Sequence, residues 1–113
     1  MSQPVLVKVY GNLFPAGEAD REALARACAG RAPAGDGEAV FLEGDLVRIS
    51  FEGLYFPVED VLEAIAARLT PAQQGKLDVL DLEAWRMTRH LFAGGRITSR
   101  AAPLNNVLDF SGH

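Results

Sequence analysis

The chain has 113 residues, 49% of them apolar and 23% charged, with a net charge of −4 and one cysteine. That is one globular domain of ordinary size, able to bury a core without metal or disulfide. The acidic balance argues against non-specific nucleic-acid binding, whose affinity comes largely from cations on phosphate. The charge is uneven: residues 76–113 hold five Lys or Arg against four Asp or Glu, and residues 1–75 hold six against eleven.

Pro4 to Tyr10, "PVLVKVY", reads as a strand with Val5, Val7 and Val9 on one face and Leu6, Lys8 and Tyr10 on the other. Gly11 to Gly17 reads as loop. Glu18 to Ala29 is Ala-rich and acidic in its first turn, which predicts a helix with Leu24, Ala27 and Cys28 inward. Gly30 to Gly37 is a second loop.

"EAVFL" and "LVRISF" flank Glu43-Gly44-Asp45 and predict a hairpin. Val47, Ile49 and Phe51 share its core face. Pro57 opens a second helix, with Val58, Val61, Leu62, Ile65 and Leu69 as one apolar stripe. "KLDVLD", 76–81, predicts a strand. A third helix is expected over 82–93, with Asp81 as N-cap and Gly94-Gly95 as its stop. It would bury Trp85 and expose Arg86, Arg89 and His90. Pro103 would start a short last helix.

The element order predicts an α+β fold of the ferredoxin-like βαββαβ type. This is a four-stranded antiparallel sheet with both helices on one face and one or two extra C-terminal helices. The plait core would span about 4–81 and the helical extension 82–113, within one domain.

"VKVYGNL" resembles the end of the first strand of an RNA-recognition motif, which would imply base stacking on the open sheet face. The third strand does not follow that pattern, because Asp45 and Val47 stand where stacking rings are needed. Nucleic acid is therefore not an expected partner. Two His 23 residues apart and one Cys offer no metal-ligand spacing, and no cofactor is expected. No run is apolar enough for a membrane span, no leader is visible, and a single cysteine fits a cytoplasmic setting.

By parity the open sheet face carries Leu6, Tyr10, Leu46, Phe41 and Leu80, with Lys8 and Arg48 among them. That is too apolar for a face left to water. The reading favours a non-enzymatic domain acting by association, as a homodimer or with a protein partner. Leu6, Leu46, Arg86, Arg89 and His90 are its candidate contacts. The alternative is a small-anion binder or small enzyme. Its pocket would lie between the open face and the C-terminal helices, formed by Lys8, Tyr10 and Arg48 with His90 nearby. No catalytic set can be placed.

Overall fold

A computed structural model of the chain describes residues 5–29 and 39–104. Eight elements follow in order: β1 (Val7–Phe14), α1 (Glu18–Ala29), β2 (Val40–Glu43), β3 (Leu46–Gly53), α2 (Val58–Arg68), β4 (Gln74–Asp81), β5 (Arg86–Ala93) and β6 (Arg96–Pro103). The six strands form one antiparallel sheet in the order β2-β3-β1-β4-β5-β6. Both helices pack on one face. There Leu24, Cys28, Val61 and Ile65 meet Val9, Leu13, Val40, Val47, Ile49, Leu77 and Phe92 in a single buried cluster.

The fold is α+β, but it is not the four-stranded plait with C-terminal helices that the sequence predicts. Residues 86–103 are two further strands that extend the sheet beyond β4. The signals that suggest a helix are used differently. Asp81 Oδ1 accepts from the backbone N–H of Glu83 and of Ala84, both at 3.0 Å, which closes a turn and starts no helix. Gly94 and Gly95 have φ of 60° and 77°, the two positive values of a tight hairpin turn. The short last helix expected from Pro103 lies outside the described residues. Pro103 itself ends β6, and Leu104 N–H donates to the carbonyl of Trp85 at 2.9 Å.

Gly11, which reads as a strand end, and Gly75, which reads as the break between the second helix and the strand 76–81, both lie within strands. β1 runs through Gly11 to Phe14, and β4 begins before Gly75. A Cβ at Gly11 would lie 2.7 Å from Leu77 Cδ1 and 2.7 Å from the Lys76 carbonyl oxygen. Here glycine serves close approach of β1 to β4 rather than chain reversal.

The helical stripe of α2 is as the sequence predicts. Val61 and Ile65 are buried, and Val58, Leu62 and Leu69 are half-buried against the core. Asp20 ties the helices together: it accepts from Arg68 Nε at 2.7 Å and from the Gly17 N–H at 3.1 Å, at the start of its own helix.

Trp85 contradicts the expectation of a buried side chain. It closes the β4–β5 turn at 56% exposure, with φ of 58°. An L-residue in that region carries about 1–2 kcal/mol of steric cost. Trp85→Gly is therefore expected to leave stability unchanged or raise it by up to about 1 kcal/mol, after the larger chain entropy of glycine is offset. Urea melts check this. A loss above about 1 kcal/mol would mean that the indole packs on the fold.

Candidate functional site

Sheet register sorts the side chains opposite the helices into rows. One row runs Arg48 on β3, Asn12 on β1, Lys76 on β4 and Leu91 on β5. The next runs Ser50, Tyr10, Asp78 and Arg89, and reaches Arg100 on β6. The third holds Glu52, Lys8, Leu80 and Met87. Both helices lie on the other side, so among the described residues no helix or strand covers these rows.

A hollow of about 280 Å³ opens here, lined by Tyr10, Gly11, Asn12, Leu46, Arg48, Ile49, Ser50, Lys76 and Asp78. No helix walls it, because 86–93 is a strand of the same sheet. The pocket expected between the sheet and a C-terminal helix is thus corrected to an open hollow on the sheet itself.

Of the predicted ligand trio, Tyr10 and Arg48 line the hollow and Lys8 does not. Arg48 stands opposite Asn12, four residues along β1 from Lys8. That separates the two cations' rows by about 13 Å. Lys76 and Asn12 take the place intended for Lys8. Parity could assign a face to each side chain; only strand register assigns a row.

Tyr10, Arg48, Asp78 and Arg89 are engaged with partners on this face. Tyr10 Oη donates to Glu52 Oε2 at 2.5 Å, and that bond, with burial and the Glu52 charge, raises the phenol pKa. Arg48 donates to Glu43 at 2.9 Å, and its guanidinium carbon sits 5.5 Å from the Phe41 ring centre. Arg89 binds Asp78 with two bonds, Nε to Oδ1 at 2.7 Å and Nη2 to Oδ2 at 2.9 Å. Hydrogen bonding to Asp78 holds the Arg89 guanidinium in its charged form.

The association candidates are divided between the faces. Leu46 lines the hollow and Arg89 stands beside it in the row of Tyr10. Leu6 precedes β1, and its N–H donates to the Gly53 carbonyl. Arg86 and His90 alternate to the helix side with Phe92. Arg86 is exposed, whereas His90 is buried with its Nδ1 2.7 Å from Ser99 Oγ. This differs from the exposed Arg86-Arg89-His90 helix face that the sequence suggests.

Burial lowers the His90 pKa from 6.5, against the opposing pull of the Asp78 and Glu59 charges. As pH falls through that unfolded value, the unfolded chain takes up a proton before the folded one does. Stability is thus complete above about 6.5, falls below it, and levels off beneath the folded pKa. Urea melts between about pH 7.5 and 5 are expected to show this decline, with His90→Gln flattening it. An unchanged decline in the variant would place the titrating group elsewhere.

Cys28 is buried on the inner side of α1, and burial pushes its thiol pKa up to about 11, opposite to the shift that activates a thiol. Among the described residues, no group of three His, Cys, Asp or Glu could hold a metal ion, and no helix is long and apolar enough to cross a membrane. No family model, no curated protein and no solved structure matches this chain.

Proposed function

We propose that this chain is a non-catalytic domain that works by association, and that the open face of its six-stranded sheet docks a second copy of the same chain. The observation that carries this reading is the composition of that face. Tyr10, Phe14 and Leu91 stand on it at 37%, 40% and 46% exposure, beside the half-buried Leu46 and Leu80, with no helix or strand over them among the described residues. Large side chains of this kind on one sheet face mark a contact surface.

Size and charge favour a second copy. Five strands of eight residues and one of four lie within about 24 by 26 Å, at most roughly 620 Å² in projection, below but near the 800 Å² per partner of a standard interface. The face carries both signs, with Glu43, Glu52 and Asp78 among Lys8, Arg48, Lys76, Arg89, Arg96 and Arg100, so a second copy turned about a two-fold axis can set its acids against these cations. A cytoplasmic setting belongs to the same proposal, on a core held by apolar packing with one free thiol.

Sedimentation equilibrium at about 100 µM, above a weak-dimer range near 10 µM, is expected to return twice the chain mass. Leu91→Arg is expected to return the single mass with the sheet intact. A monomeric parent chain at that concentration overturns the proposal.

A further inference from the structure

The hollow has a chemistry of its own. Arg48 and Lys76 flank Asn12 in one row across three neighbouring strands. Strand spacing sets their Cα atoms about 9.6 Å apart, with the Asn12 amide between them. Two long cationic side chains at that separation can converge on one anion or each hold one end of it. Their side chains are 50% and 42% exposed, so both reach the opening.

Two features keep these cations available. Both oxygens of Asp78, the acid within the lining, are taken by Arg89. Lys76 makes only a long ion pair with Asp78, Nζ to Oδ2 at 3.9 Å, beyond hydrogen-bond length. Arg48 is drawn toward β2 by Glu43 and the Phe41 ring. The Arg48–Glu43 pair is solvent-exposed on both sides, a kind of pair worth little and readily exchanged for another anion. The lining holds two cations, Arg48 and Lys76, against one acid, Asp78, an excess of one positive charge inside a chain of net charge −4.

We propose that this hollow binds a small oxyanion, a dicarboxylate or a phosphate, between Arg48 and Lys76, with Asn12 and Ser50 as neutral hydrogen-bonding groups. Arg48 supplies a planar fork suited to two oxygens, and Lys76 a point charge on the opposite side. A cavity of about 280 Å³ admits a ligand of this size. Each copy carries a whole hollow, so the site stands apart from the association proposed above, although docking of a second copy would enclose it.

The test is an amide-shift titration of ¹⁵N-labelled protein with succinate and, separately, with inorganic phosphate, at ionic strength matched with sodium chloride. Saturable shifts are expected at residues 10–12, 48–50 and 76–78. Arg48→Gln and Lys76→Gln are each expected to weaken binding about tenfold, as for loss of one charge-assisted contact. Arg96→Gln, outside the hollow, is expected to leave it unchanged. Saturation by succinate alone, by phosphate alone or by both supports the site and identifies the oxyanion. The proposal fails if neither anion gives saturable shifts by about 10 mM, well past the weak end of specific binding. It fails equally if the shifts persist in a folded Arg48→Gln/Lys76→Gln double variant. Sedimentation of the same samples reports association separately: a monomer that binds retains the site and removes only the dimer.

Discussion

Gly75→Ala is expected to cost about 4 kcal/mol of stability, enough to unfold a marginal domain of this size. A methyl at this position would lie 2.0 Å from the Asn12 carbonyl oxygen, 2.8 Å from its carbon and 3.0 Å from Leu13 Cα. All three atoms belong to the backbone of β1, so no side-chain rotation relieves the overlap. The strands must part, and β1 lies between β3 and β4, near the middle of the sheet. Parting them also breaks the row that holds Asn12 and Lys76. Overpacking of a flexible core side chain costs about 1–3 kcal/mol, and backbone against backbone lies above that range. Chemical denaturation measures the difference. A loss below about 1 kcal/mol would mean that β1 and β4 do not meet in this register.

Arg89→Ala is expected to cost about 2–3 kcal/mol, although the residue reads in the sequence as part of a solvated helix face. Its two bonds to Asp78 lie in a pair only 16% and 11% exposed at the side chains. Removing the guanidinium leaves a largely buried carboxylate without its bidentate partner. Lys76 at 3.9 Å recovers part of the loss, which keeps the figure below that of a fully buried pair. Arg89→Met, which keeps the apolar stem, separates packing from charge. A double-mutant cycle with Asp78→Asn should return a coupling of about 1–3 kcal/mol. A cost within about 0.5 kcal/mol for Arg89→Ala would restore the solvated-face reading.

These two expectations mark where the sequence was legible. The apolar stripe of α2 and the alternation of β1 and β3 could be read directly, because each has one period and one buried face. Leu6, Lys8, Tyr10, Leu46 and Arg48 could be given a face in the same way. Residues 82–93 could not, since an Asp that caps a helix and an Asp that closes a turn use the same bonds to N–H groups two and three residues on. Gly94-Gly95 is likewise a helix stop or a hairpin turn, and the choice belongs to the strand that β4 offers as a neighbour. One cue favoured the sheet: "RITSRA" after the glycines is β-branched and alternating. Lys76 was missed for a related reason. Gly75 reads as a break, and the partner row that brings Lys76 level with Arg48 exists only once β1 lies between β3 and β4.

The open sheet face as a self-docking surface is tested most directly by intermolecular NOEs in a mixture of ¹³C-labelled and unlabelled chains. The account predicts contacts linking Tyr10, Leu46 and Leu91 of one copy to open-face side chains of the other. Intermolecular contacts from Leu62 or Ala64 of α2 instead, or none at a concentration of about 1 mM, would contradict it.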